Sequence, residues 1–267
     1  VKELLVRALS GAAYVALTIG AAIAGEVTVA LLFLPVCLIA AAELHRLWWH
    51  GAWAPHAGWT IGLAASTYLG VVAGVFVEGW GIPHLIACCA GVLLLGIMHV
   101  LVSPTAMASR LLGAHTLSIL LVGVPFAVLV HLRAQDLWLL LGFFALLWSN
   151  DTGAYLVGKT LGRTKLLPAV SPGKTVEGTV GGAVFSMGVA WVLQTQGSGP
   201  PWTPWILAGA IVALTGTVGD LLESALKREA GVKDSGALMP GHGGLLDRFD
   251  ALLLAAPAMA LLLALNN

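Results

Sequence analysis

Residues 82–102 read IPHLIACCAGVLLLGIMHVLV, a run without one Asp, Glu, Lys or Arg. A helix rises about 1.5 Å per residue, so such a run is as long as the ~30 Å hydrocarbon core of a bilayer is thick. Eight further apolar runs occupy residues 8–24, 27–42, 59–77, 111–132, 137–157, 178–193, 205–224 and 246–265. The whole chain agrees: of 267 residues 58% are hydrophobic and only 10% charged, with formal net charge zero and a mean hydropathy of +0.93. A soluble domain carries about 25% charged residues, and disordered or nucleic-acid-binding chains are polar or basic. The expected fold is an all-α integral membrane protein, a polytopic bundle of about nine transmembrane helices.

Pro35, Pro125 and Pro257 fall inside runs, where a membrane helix kinks without ending. Trp59, Trp80, Trp138, Trp148 and Trp205 stand near run ends, as interfacial anchors do. Lys2 and Arg7 before an apolar stretch, with Ala22-Ile23-Ala24 after it, imitate a signal peptide. The next run follows almost at once, so a retained first span in a helical hairpin is expected. Cys37, Cys88 and Cys89 lie within apolar runs at no metal-type spacing and read as small core hydrophobes.

Nine spans put the termini on opposite faces. With a cytoplasmic N-terminus, twelve of the thirteen Lys and Arg residues fall inside and only Arg133 outside, as the positive-inside rule requires. Residues 1–150 hold ten charged side chains and residues 151–250 hold sixteen. The expected organisation is a transmembrane scaffold of about five spans over residues 1–135. A catalytic region of about four spans then covers 136–267, with cytoplasmic loops at 150–178 and 220–250.

Asp151 lies about 21 Å along its run from Leu137, and Asp220 about 22 Å along its run from Trp205. An acid near the bilayer centre costs about 2.5–3.5 kcal/mol, so these two are expected to face a polar cavity with a partner. Asp247 and Asp250, three apart at the start of the ninth run, share one helix face. Before them, Gly241-His242-Gly243-Gly244 is able to turn successive N–H groups toward an anion. Converging carboxylates repel unless protonated or bridged by a cation, and hard oxygen ligands suit Mg²⁺ or Mn²⁺. The alternative is a set of ordinary salt bridges to Lys227, Arg228 and Arg248.

On the eighth run Asp220, Glu223 with Ser224, and Lys227 form one helical stripe. Ser171-Pro172-Gly173-Lys174-Thr175 precedes the seventh run and suits a phosphate or a plain loop; it is not a P-loop, since Pro168 stands where Gly is needed and no strand is expected before it. Metal, several cations and a membrane location point to phosphate chemistry on a lipid.

The segment 224–250, SALKREAGVKDSGALMPGHGGLLDRFD, resembles the signature of the phosphatidate cytidylyltransferases, also called CDP-diacylglycerol synthases. The matching positions are Ser224, Lys227, Arg228, Lys233, Asp234, Gly236, Pro240, His242, Gly243, Gly244, Asp247, Arg248 and Asp250. Met239 departs conservatively from the Leu, Ile or Phe of that pattern. Asn150-Asp151, Gly162-Arg163 and the segment from Ser171 to Gly178 are also similar to family segments, so the likeness covers residues 140–265.

The resemblance implies that CTP and phosphatidate give CDP-diacylglycerol and pyrophosphate. It implies Asp220, Asp247 and Asp250 as metal ligands, with Asp151 or Asp234 in support. Lys174, Lys227, Arg228, Lys233 and Arg248 would hold phosphates. Ser171, Thr175, Ser224, Asp234, Gly243 and Gly244 join the substrate-binding set, and Lys233 also counts as catalytic. His242 is expected to hydrogen-bond a phosphate oxygen or a metal-bound water, or else to cap the ninth helix. The other histidines, all in the N-terminal half, read as structural or interfacial. The cofactor expected is Mg²⁺, with Mn²⁺ as the alternative and a second, monovalent cation admitted beside it. Expected partners are CTP, phosphatidate, membrane lipid and a second copy in a homodimer, with no nucleic acid. The expected location is the plasma (inner) membrane, with the site facing the cytoplasm.

Two rival classes remain at this point. A CTP-dependent polyprenol or other lipid kinase would attack the γ-phosphorus and release CDP. A transporter with a buried acidic site is disfavoured, because the N-terminal half holds no repeat-related set of acids. The DG…AR…G…D…D pattern of the CDP-alcohol phosphatidyltransferases is absent.

Overall fold

The computed structural model describes residues 2–50, 56–80, 82–238 and 243–266. Its helices are α1 (Lys2–Ala24), α2 (Glu26–Trp48), α3 (Ala57–Phe76), α4 (Ile82–Val102), α5 (Ala108–Ser118) and α6 (Val124–Gln135). They continue with α7 (Leu137–Leu161), α8 (Val176–Thr195), α9 (Trp205–Glu229) and α10 (Leu252–Asn266). Among the described residues six stretches are long and apolar enough to cross a membrane: Glu26–Trp48, Ala57–Phe76, His84–Val102, Thr105–Gln135, Val176–Thr195 and Trp205–Glu229. Gly11–Ala24 and α10 are shorter apolar stretches, and the continuous helix α7 carries the polar residues Ser149, Asn150, Asp151 and Thr152 within its apolar run. Large apolar side chains such as Leu31, Leu94, Leu101, Val184, Trp191 and Leu214 are exposed. Water does not tolerate so much outward apolar surface, whereas lipid does. The protein is an all-α, multi-pass membrane protein.

The chain divides into two compact units, residues 1–134 with 229–248, and residues 135–228 with 249–267. The segment 229–248, read from the sequence as part of the C-terminal region, thus belongs with the N-terminal helices. In this first unit polar pins fix α2 among its neighbours. His45 Nδ1 lies 3.0 Å from Thr60 Oγ1, and Trp48 Nε1 donates to the Arg110 carbonyl at 2.8 Å. The Arg110 guanidinium returns a bond to the Trp48 carbonyl at 3.2 Å and covers the Trp49 ring at 4.6 Å. His56, His99 and His115 form a chain of ring nitrogens at 3.1 and 2.9 Å. Each bond removes an exposed dipole from an apolar surrounding, where an unmade one is expensive. Pro125 has no N–H for the carbonyl one turn back, and the helix widens into a π turn over Ile119–Gly123, directly upstream.

The second unit is built on the close approach of α7 and α8. A Cβ at Gly182 would lie 2.6 Å from the Asn150 carbonyl oxygen, and one at Gly178 would lie 2.8 Å from that of Ala154. Gly178 and Gly182 stand four apart, the spacing by which membrane helices pack backbone to backbone. Trp205, read as an interfacial anchor, is instead buried over Gly142, its Nε1 donating to the Ser198 carbonyl at 2.7 Å. The glycine leaves a slot in α7 that the indole fills.

Two other expectations are corrected. A short antiparallel hairpin, β1 (Lys165–Leu167) and β2 (Ser171–Thr175), leads into α8 where no strand was expected. Its turn closes through Val170 N–H to the Leu167 carbonyl at 3.1 Å, with Pro168 in the bend. The ninth run is not helical from its start either. Leu246–Arg248 is a 3₁₀ turn and α10 begins at Leu252, so Asp247 and Asp250 precede the α-helix rather than share its face. Their backbone is drawn instead into the contacts described below.

Replacing Gly182 by Val should force α7 and α8 apart, at the about 1–3 kcal/mol typical of overpacking. The thermal midpoint of the detergent-purified variant should fall by about 3 °C or more. An unchanged midpoint would show that the two backbones are not in contact.

Candidate functional site

In the second unit a cavity of about 450 Å³ opens between α7, β2, α8 and α9. Asp151, Tyr155 and Lys159 line it from α7, Ser171 and Lys174 from β2, and Asp220 from α9. The hairpin aims these β2 residues. Thr175 caps α8, its Oγ1 accepting from Gly178 N–H at 3.1 Å. Glu177, in the first turn of α8, accepts from the backbone N–H groups of Arg163 and Thr164, both at 3.1 Å. With both ends tied, Lys174 is held toward α9 and its Nζ forms an ion pair with Asp220 Oδ2.

The α9 stripe occurs as i, i+4 pairs. Ser224 Oγ donates to Asp220 Oδ1 at 3.2 Å, and Lys227 Nζ lies 2.5 Å from Glu223 Oε2. Glu223 and Lys227 are both buried, so each neutralises a charge that lipid or protein could not solvate. Arg228 reaches the hairpin turn, its Nε donating to the Val170 carbonyl at 3.3 Å. Asp250 comes up against the same helix through Gly219. A Cβ there would stand 2.6 Å from the Asp250 carbonyl oxygen and 3.3 Å from that of Ala251. Gly219 precedes Asp220 directly, and its missing side chain lets Asp250 approach that acid.

The electrostatics follow from this crowding. Asp151 and Asp220 repel one another, and Asp250 feels the charges of Asp220, Glu223 and Asp151. Lys174 pairs with Asp220 and Lys227 with Glu223, and Lys159 lines the same cavity. Asp151, Asp220 and Asp250 give the site hard carboxylate oxygens, the donor type that suits a divalent ion. Yet among the described residues no three acid, His or Cys side chains already converge at metal-ligand distance. The donor chemistry fits Mg²⁺; a closed ligand shell is not preformed.

The family-like loop lies in the first unit and is organised around two acids. Asp247 Oδ2 accepts from Ser235 N–H at 2.8 Å and from Gly244 N–H at 2.7 Å, and lies 3.0 Å from the Ser235 hydroxyl, whose single proton it shares with Glu43. The next two N–H groups, of Leu245 and Leu246, go to Glu43 at 3.0 and 2.7 Å. The three successive N–H groups of Gly244, Leu245 and Leu246 thus go to carboxylates of the chain itself. Gly243 has φ +79°, and a Cβ there would lie 2.6 Å from Asp247 Oδ2 and 3.1 Å from Asp234 Cβ. Lys233 and Asp234 are exposed and Arg248 is half-buried. His242, with Met239, Pro240 and Gly241, lies outside the described residues.

The cavity thus gathers Asp151, Ser171, Lys174, Thr175 and Asp220. Ser224, Lys227, Arg228 and Asp250 attach to it through α9. Sequence reasoning passed over Glu43, Ser235, Gly219, Tyr155 and Lys159. For Glu43 a signal existed, an acid directly after the apolar run 27–42. Gly219 and Ser235 carried none, because their roles depend on which backbone approaches them.

The family model described as "Cytidylyltransferase family" matches residues 5–266. The phosphatidate cytidylyltransferase of Bacillus subtilis (strain 168) is 42% identical over 194 residues, 71% of this chain and 72% of the relative. That of Staphylococcus aureus (strain COL) is 43% identical over 149 residues, 55% of this chain and 57% of the relative. That of Staphylococcus epidermidis (strain ATCC 35984 / DSM 28319 / BCRC 17069 / CCUG 31568 / BM 3577 / RP62A) is 41% identical over the same length. A helical membrane chain with a cation-lined, carboxylate-bearing cavity accords with this similarity: the chain belongs to the cytidylyltransferase family.

Proposed function

We propose that the protein transfers the cytidylyl group of CTP to phosphatidate, giving CDP-diacylglycerol and pyrophosphate. The observation that carries this reading is the cavity in which Lys174 pairs with Asp220 beside Asp151, in a chain whose relatives bear that name. A phosphatidate oxygen, already anionic at neutral pH, attacks the α-phosphorus of CTP. The bond from that phosphorus to the β-phosphate oxygen breaks, and pyrophosphate leaves with the electron pair. No protein nucleophile is needed, and the chain's task is to position phosphates and neutralise their charge.

In this reading Lys174 exchanges part of its pairing with Asp220 for a substrate phosphate, and Lys227 and Arg228 supply further positive charge, while phosphate roles for Lys233 and Arg248 rest on the family signature alone. Ser171 and Ser224 offer hydroxyl donors. Asp220 and Asp250 are the proposed ligands for Mg²⁺, with Asp151 in support. Ligand roles for Asp247 and Asp234, and the phosphate role of His242, rest on the family signature alone. Mg²⁺, when bound, supplies Lewis-acid neutralisation of the phosphates in the transition state.

The topology proposed is nine spans with a cytoplasmic N-terminus and a cytoplasm-facing site, in the plasma membrane. Pairings within the first unit support it. Arg133, assigned outside, bonds the Ala22 carbonyl at 2.5 Å and lies 3.9 Å from Glu26, both beside the first outside turn. Glu43, assigned inside, bonds Ser235, Leu245 and Leu246, which are also assigned inside.

The activity is tested with purified protein, CTP labelled separately at the α- and γ-phosphates, phosphatidate and Mg²⁺. The α-label should enter the lipid, the γ-label should appear in pyrophosphate, and EDTA should abolish both. Release of CDP with γ-label in the lipid would establish a kinase instead. For the topology, single cysteines at Gly173 and Glu229, in a background with Cys37, Cys88 and Cys89 replaced, should resist an impermeant thiol reagent added to intact cells. Labelling of either from outside contradicts the orientation.

A further inference from the structure

Glu43 is a carboxylate buried in α2, 6% exposed, in a helix otherwise apolar through most of its length. Stability alone does not explain it, since an apolar side chain of similar volume would spare the desolvation of a charge. Both its oxygens are used. Oε1 accepts from Leu245 N–H at 3.0 Å, and Oε2 accepts from Leu246 N–H at 2.7 Å and from Ser235 Oγ at 3.0 Å. The same Ser235 hydroxyl lies 3.0 Å from Asp247 Oδ2, so one side chain ties Glu43 to the acid of the signature.

Two signature glycines are explained by the same carboxylate. A Cβ at Gly236 would fall on Glu43 Oε1, and one at Gly244 would lie 2.5 Å from Oε2 and 2.6 Å from Gly236 N. The carboxylate occupies the space that side chains at both positions would need. Its own placement is firm, because His45 and Trp48, two and five residues further along α2, are pinned to Thr60 and Arg110.

We infer that Glu43 is a positioning residue of the enzyme. It gathers residues 235–236 and 244–246 around its carboxylate and thereby sets the orientation of Asp247. The functional part of this inference rests on the proposed cytidylyl transfer; the structural part does not.

The test uses the purified full chain and Glu43→Gln. Gln keeps the volume but places an NH₂ where one backbone N–H arrives, so either Leu245 or Leu246 loses its acceptor. Hydrogen exchange of a peptide spanning 243–250 should quicken by about tenfold or more, while peptides of α3 and α4 keep wild-type exchange. The kcat should fall by about tenfold or more while KM for CTP changes by less than about threefold. Glu43→Asp, which retains both oxygens, should recover part of the kcat. Wild-type exchange over 243–250 would overturn the inference, and so would a loosened loop with kcat unchanged. Faster exchange throughout α2, α3 and α4 would also overturn it, by marking a general packing role. The exchange measurement needs no turnover, so an inactive wild-type protein would refute the proposed activity while leaving the placement of Glu43 still tested.

Discussion

Charge is scarce in this chain and expensive in its setting, and the pairing of Lys174 with Asp220 shows how it is held. An ionised carboxylate leaving water loses far more solvation than one hydrogen bond returns. Each acid around the cavity must therefore have its charge answered within the fold. Lys174 answers Asp220 across the cavity, and Lys227 answers the buried Glu223 along α9. Asp151 and Asp250 bring further negative charge to the same place. Carboxylates that repel one another in this way are eased by a nearby cation.

The first unit meets the same constraint differently. Its two organising acids, Glu43 and Asp247, are answered by backbone N–H groups and one hydroxyl rather than by lysines. Partial charges supplied by the backbone do not wander as a lysine does, and they bind Leu245 and Leu246 to a helix at known points. The two devices suit two tasks. A lysine can exchange its partner for a substrate phosphate, whereas a carboxylate wrapped in N–H groups holds a loop in shape.

Much of this was legible in the residues. The apolar runs announce the helices because a bilayer admits few other structures. The concentration of charge after residue 150 announces the charged cavity of the second unit, and the 224–250 segment resembles the family to which the chain belongs. What stayed hidden has a common physical cause. The hairpin before α8 depends on Glu177 reaching back to the N–H groups of Arg163 and Thr164, a tertiary closure without local periodicity. Trp205 turned inward because Gly142, more than sixty residues earlier, leaves it a slot. The first turn of the ninth run was read as helix, yet its N–H groups are drawn to Glu43, some two hundred residues away in sequence. Long-range pairing of this kind is set by the fold and not by spacing.

The account rests most heavily on the claim that the carboxylates around Asp220 hold a divalent cation. Mn²⁺ binding to the purified protein, followed by electron paramagnetic resonance without substrates, addresses this directly. The account predicts a saturable site in the wild type whose affinity falls by about tenfold or more in Asp220→Asn and in Asp250→Asn, a loss of about 1.4 kcal/mol or more in each. A wild-type protein that binds no Mn²⁺, or two variants that bind it as the wild type does, would contradict it.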